Sequence, residues 1–210
     1  ILSDAEKTAL YGIPSFDDFQ RIEFFAMTEA ERSLALQRRG ILKQVYCMLQ
    51  IGYFKAKQAF FQFSLDDVPP EDVTFLMQRY FPGETLVVKP MSTKEYYAQR
   101  QEISALFEYR LWTANDLPVL RDKAKLLVRT DVTATFLLAE LMVFLMAQRI
   151  VRPGYSTLQT IIRDALSAER DRLEKLVEAA ITDEARETLE LLLTNESTLS
   201  ELAALKQDAK

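Results

Sequence analysis

The chain of 210 residues contains no histidine, one cysteine and only five glycines. Without histidine it cannot assemble Ser-His or Cys-His catalysis, a histidine-containing zinc site, or the iron site built from two histidines and a carboxylate. The single cysteine, Cys47, excludes a disulfide within one copy and predicts a small core residue in a reducing compartment. The glycines are scattered one at a time, so no glycine-rich phosphate loop is present.

Long apolar runs are also missing. The most apolar stretch, residues 136–147, is interrupted by Glu140 and is shorter than the roughly 20 residues that a bilayer span requires. It predicts a buried helix. The amino terminus has no basic region followed by an apolar core, so we expect no secretory signal and a cytoplasmic protein. Because the chain lacks an initiator Met and ends without a compositional stop, we expect it to be a piece of a longer one.

Acidic residues are absent from one part of an otherwise acidic chain. The formal net charge is -5, yet residues 32–65 carry six Lys or Arg and no Asp or Glu. An ordinary solvated face mixes both signs, and nucleic-acid affinity depends on local positive potential more than on the total charge. The basic stretch therefore favours a nucleic-acid partner.

Apolar residues recur at helical spacing in nearly every segment, which predicts an all-α, multi-helical fold. Capping boxes mark four helix starts, at Ser15, Thr28, Ser92 and Ser156, and Thr182 marks another. Residues 85–89 alone suggest a short strand. The predicted helices are 16–26, 29–38, 41–63, 70–81, 93–109, 117–129, 132–151, 157–180, 183–194 and 198–207.

Prolines and a glycine interrupt the helical pattern between Tyr80 and Thr93. This break predicts two helical subdomains, 1–82 and 93–210, joined by a linker at 83–92. The first would be a DNA-binding subdomain, and the second would add another contact surface.

The predicted helix 41–63 has one face that is basic, amide-bearing and aromatic. Arg and Lys can contact phosphates, Gln can pair with a base edge, and Tyr can pack on a sugar or base. With the preceding helix and the break at Gly40, the segment resembles a helix-turn-helix. The alternative is a plain solvated helix face. The candidate DNA-binding residues here are Arg38, Arg39, Lys43, Gln44, Tyr46, Gln50 and Lys57.

A second candidate surface lies where Pro153 and Gly154 turn the chain between two predicted helices. A helix start offers free N–H groups, and arginines beside it strengthen such a site for phosphate. The alternative is a helical hairpin whose arginines neutralise helix-end carbonyls. The candidate residues are Arg149, Arg152, Thr157, Gln159 and Arg163.

No cluster in the sequence suggests catalysis, a metal or a cofactor. The acidic pairs, such as Asp17 with Asp18, coincide with helix starts or linkers, where carboxylates favour the positive end of the helix dipole. We therefore expect neither catalytic nor metal-binding residues in this chain.

Several short motifs occur in a characteristic order. They are Leu2 to Lys7, Tyr11 to Pro14, Arg38 to Gly40, Gln50 to Gly52, Tyr97 to Ile103, Arg149 to Leu158 and the leucine-rich stretch Leu189 to Leu205. In order and spacing they resemble the amino-terminal region of the Tn-three family of replicative transposases. The similarity covers essentially the whole chain.

That resemblance implies a non-catalytic region that recognises the terminal inverted repeats of a transposon during DNA recombination. A separate carboxy-terminal domain with an Asp-Asp-Glu triad would cut and join the strands. It implies as partners duplex DNA, the other domains of the same transposase and a homodimer in the DNA complex, with no membrane. It also implies a bacterial cytoplasmic location, at the nucleoid when bound.

Two other functions stay open from the residues. One is a helical protein-interaction module that uses Tyr46 and Tyr53 as an interface. The other is a ligand-sensing transcription regulator with an aromatic pocket in its second half.

Overall fold

The computed structural model describes residues 2–87 and 93–194, and over those residues it has ten α-helices. The predicted all-α class is confirmed. The helices are α1 Asp4–Tyr11, α2 Asp18–Phe25, α3 Glu29–Leu36, α4 Ile41–Lys57, α5 Pro70–Tyr80, α6 Thr93–Leu106, α7 Leu117–Leu127, α8 Ala134–Ala147, α9 Tyr155–Ala180 and α10 Asp183–Thr194. The expected helix at 198–207 lies outside the described residues.

The chain forms two compact units, residues 1–165 and residues 166–210. The first unit contains a core cluster to which Tyr46 of α4, Phe81, Tyr96 of α6 and Val151 all contribute. The break expected at 83–92 therefore falls inside the first unit. Pro82 and Gly83 follow the end of α5, and the core cluster includes residues from both sides of them. Residues 85–87 form no strand.

The helix starts agree with the capping pattern only in part. Thr28 forms the predicted box with Glu31, and Thr182 accepts a hydrogen bond from the Ala185 amide at the start of α10. The cap of α2 is Asp17, which pairs with Gln20, so the expected cap at Ser15 is wrong. The expected start at Ser156 is also wrong, because α9 begins one residue earlier.

Helix α1 was not predicted, although Ser3 and Glu6 form a complete capping box at its start. The box stands in the sequence as a Ser followed three residues later by a Glu. Short amphipathic helices at a chain end carry little periodic signal, which is why this one was missed.

Helix α4 is the centre of the first unit. Helices α2, α3 and α5 pack against it, and every residue from Val45 to Phe54 is buried. Gly52 lets the ring of Phe25 from α2 approach the α4 backbone. A helix that is covered on all sides in its middle cannot also present a long solvent face.

The helix ends at Lys57, six residues before the predicted end, because Gln58 adopts a left-handed conformation. Residues 59–64 then run back without forming a helix. Their rings cover α4: Phe63 stacks on Tyr46, with 4.4 Å between ring centroids, and Phe61 meets Tyr53 edge to face.

A buried polar cluster ties α2, α4 and α5 together. Asp72 of α5 is fully buried and accepts hydrogen bonds from Arg21 Nε and from the Tyr53 hydroxyl, each at 2.9 Å. Arg21 also donates to the carbonyl of Phe16 at 2.8 Å. The carboxylate is thus paired and hydrogen-bonded, as burial of a charge requires.

Helices α7 and α8 form a hairpin. The expected buried helix at 136–147 is confirmed on one face only: Leu137, Leu138, Leu141 and Leu145 are buried, whereas Val143 is 59% and Met146 is 50% exposed. Nowhere in 2–87 or 93–194 is a helix both long and apolar enough to cross a membrane.

The second unit contains the end of α9, followed by α10. Leu173, Leu176 and Val177 of α9 are each exposed by 43% or more. These leucines and valine form an exposed apolar stripe in the charged second half of α9.

Candidate functional site

The start of α4 follows α3 after only four residues, 37–40, and the two helices pack together. Gly40 precedes the helix with φ of +88°, a backbone conformation that side chains other than glycine rarely adopt. No side chain caps the first turn of α4, and that turn contains no acidic residue. The positive end of the helix dipole is therefore left without a protein anion in the turn itself.

Three of the predicted basic residues surround this helix start. Arg38 forms an ion pair with Glu102, and Lys43 forms one with Glu95; both carboxylates belong to α6. Arg39 is exposed and has no partner among the residues that the structure describes. The structure thus brings Arg38, Arg39 and Lys43 together, as the motif predicted, and adds two carboxylates that the sequence did not indicate.

Gln44 lies in the same turn but uses its amide locally. Its Nε2 donates to the carbonyl of Arg38 at 2.8 Å and to that of Leu36 at 3.3 Å. The predicted base-reading amide therefore holds the turn between α3 and α4 in place.

The interpretation of Tyr46 and Gln50 as DNA contacts is wrong, because both are buried. Tyr46 is 5% exposed and donates to the carbonyl of Phe63 at 3.0 Å. Gln50 is 1% exposed and donates to the carbonyl of Phe61. These two side chains of α4 donate hydrogen bonds to backbone carbonyls of residues 59–64, a segment that forms no helix in which those carbonyls could be paired.

Lys57 and Arg152 were assigned to different DNA surfaces, yet they meet each other. The Lys57 ammonium donates to the carbonyl of Ala9, and Arg152 Nη2 donates to the Lys57 carbonyl at 2.6 Å. Burial lowers the pKa of both side chains. Arg152 also lies over the ring of Tyr11, 5.0 Å from its centroid. Both residues fasten α1, so their assignment as phosphate contacts is corrected.

The other four residues of the second candidate surface do not lie together. Arg149 lies over the Tyr109 ring at 5.4 Å, and Arg163 is 3.3 Å from Asp164. Thr157 donates its backbone N–H to the carbonyl of Gly154 inside the first turn of α9. Gln159 is exposed. Two arginines thus have local partners, and the side chains do not converge on one point.

Of the six basic residues in the stretch 32–65, four have partners in the described part of the chain. Lys55 is one of them: its ammonium donates to the carbonyl of Ala26 at 2.9 Å and lies 3.4 Å from Glu31. The two that have none are Arg32 and Arg39, which are both exposed. Much of the basic stretch is therefore used inside the fold.

Besides the two carboxylates of α6, sequence reasoning missed Gln99 of the same helix, which lies beside Arg38 and Lys43. It is 3% exposed, and its Oε1 has no donor in the described structure. Burial raises the pKa of the Cys47 thiol, and hydrogen bonding from Gln99 and the positive charge of Arg38 oppose that rise. Gln99 lies within the Tyr97 to Ile103 motif, which was the only signal for it in the sequence.

Groups of three or more His, Cys, Asp or Glu side chains that could hold a metal do not occur among the described residues. The first unit is all-helical in its described residues and is built around the buried helix α4, whose start is basic.

A protein-family model described as a domain of unknown function, DUF4158, matches residues 1–165. The chain therefore belongs to that family, and the matched residues coincide with the first compact unit. A search among curated proteins found no match.

Proposed function

We propose that this chain is the non-catalytic DNA-binding region of a Tn-three family transposase, which recognises the terminal inverted repeats of the transposon. The motif order from Leu2 to Leu158 supports this proposal, and so does membership of a family that is associated with those transposases. Cutting and joining of strands would belong to a separate domain of the parent protein.

The observation that carries the proposal is the grouping of Arg38, Arg39 and Lys43 around the uncapped start of α4. Free N–H groups at a helix start attract anions, and adjacent guanidinium and ammonium groups add charge and hydrogen bonds. Phosphates of a DNA backbone are the anions that such a grouping fits best in a family of this kind.

The buried middle of α4 restricts how DNA could be contacted. Residues from Val45 onward are covered, whereas Ile41 to Gln44 are each partly exposed. In helix-turn-helix proteins the first residues of the recognition helix reach the bases. We therefore infer that α4 meets DNA with its first turn. The sequence pattern had suggested contact along one whole face of the predicted helix 41–63.

The experiment is a mobility-shift titration of the chain on a duplex that carries the inverted repeat of its element and on a scrambled duplex. We expect binding to both at low salt, with tighter binding to the inverted repeat and a steep loss of affinity as salt rises. No binding at low salt, or equal affinity for both duplexes at every salt concentration, would refute recognition of transposon ends.

A second candidate, a protein-interaction surface, is favoured by the exposed apolar stripe on α9. Large exposed apolar patches mark interaction sites more often than chance, and Leu173, Leu176 and Val177 lie at helical spacing. Light scattering across a concentration series tests it. A monomer at all concentrations, unchanged by Leu176→Glu, would argue against self-association through this stripe.

A further inference from the structure

Helix α8 has an apolar outer face as well as an apolar inner one. The inner face is buried through four leucines, Leu137, Leu138, Leu141 and Leu145. At about 100° per residue, the opposite side of the helix carries Thr135 and five apolar side chains. They are the half-buried Phe136 and the exposed Ala139, Val143, Met146 and Ala147. A helix that is apolar all round is ordinarily covered all round, so this outer face is expected to have a partner.

Four of these side chains have the spacing of a contact between two helices. Phe136, Ala139, Val143 and Met146 follow one another after three, four and three residues, which is the spacing of the a and d positions in paired helices. This spacing is the same in both directions. In an antiparallel pair of α8 helices, Phe136 therefore meets Met146 of the second copy where Ala139 meets Val143. A thioether then lies against a ring, and a small side chain against a branched one, and both contacts are favourable.

Charges along one edge of the outer face favour the antiparallel orientation. Lys123 of α7 lies over the ring of Phe144, with its Nζ 5.9 Å from the ring centroid. Glu140 lies one turn before Phe144 on the same edge of α8. Neither Lys123 nor Glu140 forms an ion pair with a described residue.

An antiparallel pair reverses the order of these charges in the second copy. Glu140 then comes within two residues, about 3 Å along the helix axis, of Phe144 in that copy, and so lies beside its Lys123. A parallel pair would instead place the two Glu140 side chains against each other. The face is therefore complementary in charge to itself only when the helices run in opposite directions.

We propose that the outer face of α8 pairs with the same face of a second copy in antiparallel orientation, and that Glu140 of each copy forms an ion pair with Lys123 of the other. The inference goes beyond the proposed function, because no DNA takes part in the pairing. It also concerns a different surface from the stripe on α9, which belongs to the second unit.

The size of the face determines the strength of the pair. A helix of 14 residues is about 21 Å long and about 10 Å wide, so one α8 covers roughly 200 Å² of the other in projection. Stable interfaces bury about 800 Å² per partner. The pair is therefore weak, and we expect a dissociation constant on the order of 0.1 mM.

The test is sedimentation equilibrium of the chain without DNA, from about 10 µM to about 1 mM. We expect the wild type to pass from monomer to dimer over this range. Val143→Glu should stay monomeric, because the pair would bury its new carboxylate beside the symmetry axis. Its circular dichroism and its unfolding midpoint should match those of the wild type, since Val143 is 59% exposed in the single chain.

The matched control is Val87→Glu, which makes the same substitution at a valine that is 63% exposed and lies outside α8. It should dimerise like the wild type. Equal loss of the dimer in Val87→Glu and Val143→Glu would show a general effect of added charge and would overturn the assignment to α8.

A charge exchange tests the orientation. Glu140→Lys should weaken the dimer about five- to tenfold, because two symmetry-related attractions become repulsions. Lys123→Glu should do the same, and the double variant should regain the dissociation constant of the wild type. Failure of the double variant to regain it would refute the ion pair, and a stronger dimer in Glu140→Gln would show a parallel pair and overturn the proposed orientation.

The remaining outcomes identify other partners. A monomer throughout the concentration range would overturn the pairing and would leave the outer face of α8 to a different protein or domain. A dimer that survives Val143→Glu and is lost in Leu176→Glu would assign self-association to α9 and overturn the proposal. Because no DNA is present, none of these results bears on the proposed DNA binding, which the mobility-shift titration tests separately.

Discussion

Replacing Gly52 by alanine tests the buried position of α4 most sharply. A Cβ at this residue would lie 2.2 Å from Phe25 Cε1 and 2.3 Å from Cδ1, far inside van der Waals contact. The Phe25 ring cannot swing away, because it is fully buried and packs against Phe16 and Tyr53 with centroids 5.5 and 5.9 Å apart. The ring or the helix must therefore move.

Two opposing effects decide whether Gly52→Ala raises or lowers the free energy of unfolding. Alanine favours a helix interior over glycine by up to about 1 kcal/mol. Overpacking a close-packed core costs typically about 1 to 3 kcal/mol, and here the upper end applies because the obstacle is a fixed ring. We expect a net loss of about 1 to 2 kcal/mol in the free energy of unfolding, measured by urea denaturation followed by circular dichroism.

Gly154→Ala is the matched control, because an added Cβ there meets nothing within 4 Å. It should leave stability unchanged or raise it by a few tenths of a kcal/mol through the unfolded chain. If Gly52→Ala were as stable as Gly154→Ala, the packing of Phe25 on α4 would be refuted.

Two further changes test the polar contacts. Gln50→Ala should lower the free energy of unfolding by about 2 kcal/mol, because it leaves the Phe61 carbonyl without its hydrogen-bond donor. Its affinity for duplex DNA should be unchanged. Loss of DNA affinity at unaltered stability would show that Gln50 contacts a base after all. Hydrogen bonding from Arg110 lowers the pKa of Asp116 to about 2 from an ordinary 3.8, so its stabilising effect is present above pH 3.8 and is lost as the pH falls toward 2. Asp116→Asn should therefore be about 1 kcal/mol less stable than the wild type at neutral pH; the value is small because Arg110 is half exposed. The difference should disappear as the pH falls toward 2. If urea denaturation at pH 2 gave the same difference as at neutral pH, the ion pair would be contradicted.

Helical periodicity predicted the fold class and most of the helix positions, because apolar spacing and caps are local properties. It could not predict that the polar face of α4 is covered as well as the apolar one. Tyr46 and Gln50 carry polar atoms, and a helical wheel counts them as solvent-facing. Here the returning segment 59–64 brings carbonyls that need donors, and only the tertiary structure reveals that demand.

Sequence patterns predicted the candidate site only where its residues are close to one another in the chain. The motif from Arg38 to Gly40 placed the basic helix start correctly. The carboxylates of Glu95 and Glu102 are 52 and 64 residues away from their partners in sequence, so no local pattern could associate them. Lys57 and Arg152 show the converse case, in which long basic side chains serve to fasten helices by donating to carbonyls.

If exposed charge at the start of α4 contacts duplex DNA, then Arg39→Gln should change how DNA binding depends on salt. The control is Arg129→Gln, which removes an equally exposed arginine that has no partner in the described structure and follows α7. The measurement is fluorescence anisotropy of a labelled duplex over a range of salt concentrations. Loss of one phosphate contact should weaken binding to all sequences alike and reduce the slope of log affinity against log salt by about one for Arg39→Gln only. Identical slopes for Arg39→Gln, Arg129→Gln and the wild type would show that Arg39 makes no phosphate contact and that the start of α4 does not meet DNA.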